Sequence, residues 1–78
     1  MVINLKVRER VPYGEDMSEK LPIEIDGKSA TVYYSTPKNK SVKAYIVPKD
    51  LKSFELLSKP RQKEIRHSTI EEIKNRLK

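Results

Sequence analysis

From Val2 to Val11 apolar and polar side chains alternate. Ile3, Leu5, Val7 and Val11 fall on one side, and Asn4, Lys6, Arg8 and Arg10 on the other. A period of two is what an extended strand with one buried face requires. Pro12, Gly14 and the acidic Glu15, Asp16 and Glu19 then predict a solvated loop. Alternation resumes with Leu21, Ile23 and Ile25 set against Pro22, Glu24 and Asp26.

Asp26-Gly27 is the sharpest local signal. Asp-Gly between two alternating runs favours a two-residue type I′ turn, whose central residues both need positive φ. Such a turn pairs Ile25 with Lys28, Ile23 with Ala30 and Leu21 with Val32. The last two pairs are apolar on one face, so turn chemistry and hydrophobic pattern agree on one register.

A third strand, about Lys28 to Ser35, turns Ala30, Val32 and Tyr34 inward. The polar stretch from Thr36 to Ser41 predicts a turn. A fourth strand, Val42 to Val47, sends Val42, Ala44 and Ile46 inward. Strands two to four form a meander, with the first added at an edge or folded over. Pro48 ends the strand region, and Asp50 is placed to accept from the amide of Ser53 as an N-cap. Leu51, Phe54, Leu56 and Leu57 give a helical apolar stripe. Pro60 stops that helix or begins the next. Ser68 with Glu71 and Thr69 with Glu72 read as overlapping capping boxes, which predict a break near Ser68 ahead of Ile70, Ile73 and Leu77. One longer helix is the alternative.

The expected fold is α+β: a small antiparallel sheet of about four strands, then two or three C-terminal helices packed on one sheet face. Residues 1–78 make a single domain, with a β-sheet part over 1–47 and a helical part over 48–78.

Composition changes the picture in three ways. At 78 residues with 36% apolar content, the core is thin for one domain, so a homodimer is an alternative way to gain burial. There is no Cys, which removes disulfides and thiolate metal sites. The longest apolar run, Ala44 to Val47, is far short of a membrane span, and the alternating start is unlike a signal peptide. No membrane partner and a cytoplasmic location are the expectations.

Charge is divided unevenly. Residues 1–37 carry five basic and six acidic side chains, whereas residues 38–78 carry twelve and five. A positive excess confined to one half builds a local field of the kind nucleic-acid partners exploit. Three groups of residues could use it. Lys38, Lys40 and Lys43 sit on or beside an exposed turn. Lys59, Arg61, Lys63 and Arg66 form the densest basic stretch, the arginines suited to bidentate phosphate or guanine contact and the lysines to point-charge contact. The sheet face opposite the apolar set displays Lys6, Arg8, Arg10, Thr31, Tyr33, Lys43 and Tyr45, with Tyr33 opposite Lys43 or Tyr45. Basic groups interleaved with tyrosines suit phosphate contact with base stacking. Each group also has a bland explanation: a solubilising loop, a solvated helix face paired with Glu64, and the strand preference of Tyr and Thr.

Catalytic chemistry finds no template. No phosphate-binding loop, nucleophile elbow or dinucleotide fingerprint is present. His67 is the one histidine, without companions at ligand spacing for zinc. No cofactor or metal is expected. The expected function is non-covalent nucleic-acid binding, DNA ahead of RNA, and the alternative is a protein-interaction module docking on an acidic partner, such as an inhibitor, an antitoxin or a viral or plasmid accessory protein.

Two partial likenesses exist. Strands followed by a helix in a small basic chain resemble the SH3-like chromatin proteins of archaea in architecture. Val47-Pro48-Lys49-Asp50-Leu51 is similar to the strand-Pro-helix step of swapped-hairpin regulators of the antitoxin type. Those regulators continue into strands, whereas this chain continues into helices, so no residue roles carry over.

Overall fold

The computed structural model describes residues 2–15, 17–35 and 41–77. Its elements run in the order β1 (Val2–Val7), β2 (Glu19–Ile25), β3 (Lys28–Tyr34), β4 (Ser41–Pro48), α1 (Leu51–Glu55) and α2 (Lys59–Arg76).

Asp26 and Gly27 take φ of 49° and 83°, the left-handed pair a type I′ turn needs. The register that follows pairs Ile25 with Lys28, Ile23 with Ala30 and Leu21 with Val32, as the pattern requires. Next, β3 pairs antiparallel with β4, placing Tyr33 opposite Tyr45 and Val32 opposite Ile46. Strands β2 to β4 are thus a meander.

The first strand departs from an all-antiparallel sheet. It lies at the edge beside β4 and runs parallel to it, giving the order β1-β4-β3-β2. The sheet is mixed and open. Alternation alone carries no direction, so the sequence leaves this orientation undetermined. The strand also stops at Val7, four residues before the alternation does.

One face of the sheet is the core. Leu5, Leu21, Ile25, Ala30, Val32, Val42, Ala44 and Ile46 are buried against Phe54, Ile65 and Ile73 of the helices. Both helix starts are explained by their caps. Asp50 Oδ1 accepts from the Ser53 amide at 3.2 Å. Ser58 Oγ accepts from the Arg61 amide at 3.3 Å, and Pro60 occupies the first turn of α2.

The expected break at Ser68 does not occur. Helix α2 runs through it, and Ile65, Thr69 and Ile73 form its buried stripe at a spacing of four. Thr69 sits inside the helix because its hydroxyl donates to the Ile65 carbonyl one turn back, at 2.8 Å. This is the way a buried helical Thr satisfies its polar group. Neither capping box forms. Glu71 and Glu72 instead lie 3.9 Å from Lys74 and 4.0 Å from Arg76 along the helix. Leu56, expected on the apolar stripe, is 86% exposed in the turn between the helices. No helix among the described residues is long and apolar enough to cross a membrane.

Candidate nucleic-acid interface

Two tethers fix how α2 lies on the sheet. Arg66 Nη2 donates to the Leu5 carbonyl in β1 at 2.8 Å. On the other side Arg61 Nη2 donates to Asp26 Oδ1 in the β2–β3 turn, also at 2.8 Å. One flank of the helix therefore faces the β1 edge and the other faces the β2 edge.

Helical periodicity then sorts the charges. Lys59 and Lys63 precede Arg66 by seven and three residues, so they share its flank. Glu64, Ser68 and Glu72 follow Arg61 at helical spacing and line a groove along β2 with Glu24. The β1 edge adds Lys6 and Arg8, which line a second groove with Arg66, Gln62 and the apolar Leu5, Val7, Leu51 and Phe54. Glu9 and Glu55 line that groove as well. The β1-side groove thus carries three basic and two acidic side chains, and the β2-side groove one basic and three acidic.

Arg8, Lys59, Lys63 and Arg66, four of the sequence candidates, converge on this flank. Lys6, opposite Tyr45 on the polar sheet face as expected, reaches the same groove from the β1 edge. Lys59 and Lys63 are exposed, with no carboxylate among the described residues in ion-pair range.

Arg61 belongs elsewhere. It is engaged by Asp26 and by Glu64 one turn on. The hydrogen bond from Arg61 holds the Asp26 carboxyl below its usual range, and the same bond raises the guanidinium. Arg61 is a fastener between α2 and the hairpin, and its charge is spent there.

The tyrosine platform is also corrected. Because β1 and β2 are opposite edges of the sheet, the segment joining them must cross a face. The helices hold the apolar face, so the joining segment takes the polar one. Its Glu15 reaches the Tyr45 hydroxyl at 3.5 Å and Lys43 Nζ at 3.6 Å. Tyr45 is only 7% exposed as a result, too covered to stack on a base. Tyr33 is half-buried, and Lys20 Nζ stands 5.8 Å from its ring centre. Lys43 lies on this face with Glu15 as its partner, away from the α2 flank. Lys38 and Lys40 lie outside the described residues.

Other chemistry has little to build on. His67 is exposed in the middle of α2. No group of His, Asp and Glu among the described residues is arranged to hold a metal ion. An apolar pocket between the hairpin turn and α1, lined by Ile25, Pro48, Phe54 and Leu57, measures about 140 Å³. That is well under the ~300 Å³ at which sites for organic ligands begin. Lys28, Ser53 and Asp50 meet at its rim, Lys28 Nζ donating to Ser53 Oγ at 2.8 Å and Ser53 Oγ to Asp50 Oδ2 at 2.7 Å. The trio secures the cap of α1. Hydrogen bonds from Ser53, side chain and then backbone, hold the Asp50 carboxyl below its usual range.

No family model matches this chain, and neither a curated protein nor a solved structure is found similar to it.

Proposed function

We propose that this protein binds nucleic acid without catalysis, duplex DNA ahead of RNA, through backbone phosphates along the β1–α2 flank. The supporting observation is the sorting of charge across α2. Arg66 lines the β1-side groove with Lys6, Arg8, Glu9 and Glu55, and Lys59 and Lys63 share its flank by helical spacing, while Glu24, Glu64 and Glu72 line the β2-side groove with Arg61.

The dimensions fit. Lys59 to Arg66 spans about 10 Å of helix, and a DNA strand places one phosphate per ~3.4 Å of its axis. The stretch therefore faces about three phosphates of one strand, with Lys6 and Arg8 beside it. Phosphate contacts of this kind give affinity and orientation and carry no base readout. Loss of the tyrosine platform favours a duplex, since single-strand binding draws much of its energy from stacking. The expected setting is the cytoplasm.

The deciding experiment is an anisotropy titration with a short DNA duplex, a single strand and a structured RNA, each at 50 and 200 mM salt. Four to five neutralised phosphates give a slope of about −3.6 to −4.5 in log K against log salt, or a loss of roughly 150- to 500-fold across that range. Absent binding, or binding indifferent to salt, removes the proposal. Sedimentation of the free protein in the same buffers tests the homodimer.

A further inference from the structure

The edge strand β1 carries an unusual set of backbone groups. In a parallel pair, alternate residues turn both their N–H and C=O to the same side. The Arg8 amide donates to the Ile46 carbonyl at 3.0 Å, so Arg8, Lys6 and Asn4 face β4. Val7, Leu5 and Ile3 therefore turn their backbone groups outward. Two of those outward carbonyls are already occupied: Leu5 O by Arg66 Nη2 at 2.8 Å, and Val7 O by Arg8 Nη1 at 2.9 Å. Two guanidiniums are thus held against the edge, and the N–H groups of Leu5 and Val7 point outward beside them.

The opposite edge is made differently. A two-residue I′ loop makes Ile25 and Lys28 a hydrogen-bonded pair, so Ile23 and Leu21 also bond to β3. Glu24, Pro22 and Lys20 then face outward on β2. Pro22 has no N–H, so the middle of that edge lacks a donor. One edge is blunted. The other is rich in donors.

We propose that the β1 edge is an oxyanion site that takes a phosphodiester group of nucleic acid. Arg8 and Arg66 supply forked guanidinium donors, and the outward amide of the half-buried Val7 completes the set, with the buried Leu5 amide behind it. This rests on the phosphate-binding function proposed above and names the place where one phosphate is gripped by geometry as well as by charge. Each guanidinium uses one N–H on a carbonyl and keeps others for the ligand. A phosphate oxygen is also charged, hence a stronger acceptor than the carbonyl it competes with. Glu9 and Glu55 on the same groove disfavour a free anion. A polymer offsets them, because its neighbouring phosphates meet Lys59 and Lys63 at the same time.

The test is a ¹H–¹⁵N titration of the full chain with a 12-base-pair duplex and, separately, with inorganic phosphate. The Leu5 and Val7 amides shift with the duplex at concentrations where inorganic phosphate leaves them unchanged. Arg66→Lys and Arg8→Lys keep the charge and lose the fork. Each weakens duplex binding about tenfold, the worth of one charge-assisted hydrogen bond, with the salt slope preserved. Arg8→Lys leaves α2 untouched, so it serves even where Arg66→Lys lowers stability. If the amides near Lys59 and Lys63 shift while Leu5 and Val7 stay still, the clamp is overturned and phosphate binding stands. If the duplex shifts nothing, both fall. If a glutamate-rich extended peptide protects the Leu5 and Val7 amides while the duplex does not move them, β1 is an edge for strand addition and the phosphate clamp is overturned.

Discussion

Arg61 and Asp26, 35 residues apart in sequence, are joined by a 2.8 Å hydrogen bond that fastens the first turn of α2 to the tip of the β2–β3 hairpin. The same aspartate occupies the left-handed position that begins the turn. Asp26 therefore serves the turn through its backbone and the helix through its carboxylate.

Asp26→Asn separates those roles, because Asn also accepts the left-handed conformation. The turn persists and the charge pairing is lost. Because the pair is exposed, the expected loss of thermal stability at pH 7 is small and shrinks further in 0.5 M salt. The sign with pH follows from the lowered carboxyl. Its stabilisation is complete above the unfolded value of about 3.9 and is lost as pH falls through the folded value. Melting curves of wild type and Asp26→Asn accordingly differ at pH 7 and converge as pH falls below the unfolded value of about 3.9 and through the lowered folded one. Wild-type curves that stay equally separated at low pH would contradict the pairing.

Ile73 of α2 is fully buried in the core cluster. Truncation to Ala leaves a cavity in the core, at a cost of about 2–5 kcal/mol. For a domain of this size that lowers the melting temperature by at least about 8 °C. Leu56→Gln is the control. Its side chain is 86% exposed, and the change stays within about 0.5 kcal/mol. Urea unfolding followed by circular dichroism separates the two; equal midpoints would mean that α2 is not packed through Ile73.

The parts of this fold that local chemistry determines are legible in the chain. Asp26-Gly27 fixes a turn, the turn fixes a register, and the apolar pairs on one face agree with it. Asp50 announces a helix start in the same way. The direction of β1 is not legible, because alternation is identical in parallel and antiparallel strands. Ser68 and Thr69 mislead for a physical reason. Thr at the start of a helix and Thr buried within one both bond to nearby backbone, and only the surrounding core decides between N–H and C=O. The candidate surface divides likewise. Lys59, Lys63 and Arg66 share a flank by helical spacing alone. Arg61, two residues after Lys59, is drawn to a distant carboxylate that no local pattern reveals. Tyr45 is hidden by the path of a connection set by the strand order.

Because Tyr45 lies under Glu15, the two tyrosines are expected to contribute little to the proposed nucleic-acid binding. Tyr45→Phe keeps the ring and removes the long hydroxyl contact. Tyr33→Phe leaves the ring beside Lys20. Both variants bind duplex and single-stranded DNA within about twofold of wild type, and so does Tyr33→Ala. A stacked base is worth roughly 1–3 kcal/mol, so a fall of about tenfold or more for Tyr33→Ala with single strands would restore the stacking platform.

Reversing charge on the α2 flank has the opposite consequence. Lys59→Glu with Lys63→Glu removes two of the proposed phosphate contacts, so the expected salt slope is shallower by about 1.8. Both residues are exposed and unpaired among the described residues, so melting temperature changes little. Arg61→Ala inverts this pattern: it loosens the hairpin tether and leaves the salt slope as it was. Measuring slope and melting temperature on both variants tests the assignment. A shallower slope in Arg61→Ala would place the binding surface on the wrong flank.

Pro22 carries the last prediction. It stands opposite Thr31 in β2, at a position whose missing N–H points away from the sheet. Restoring that donor opens a continuous outward row on a flat edge strand, the feature that templates unwanted pairing. Pro22→Val adds the amide and a β-branched side chain suited to a strand. It also frees the unfolded chain by about 0.4–1 kcal/mol, so the variant is slightly less stable as a monomer and more prone to associate. Sedimentation velocity over a concentration series shows association beyond that of wild type. Pro22→Ala adds the same donor without the β-branched surface and associates less than the Val variant but more than wild type. If neither variant associates beyond wild type, the charges of Glu19, Lys20 and Glu24 protect the edge without the proline.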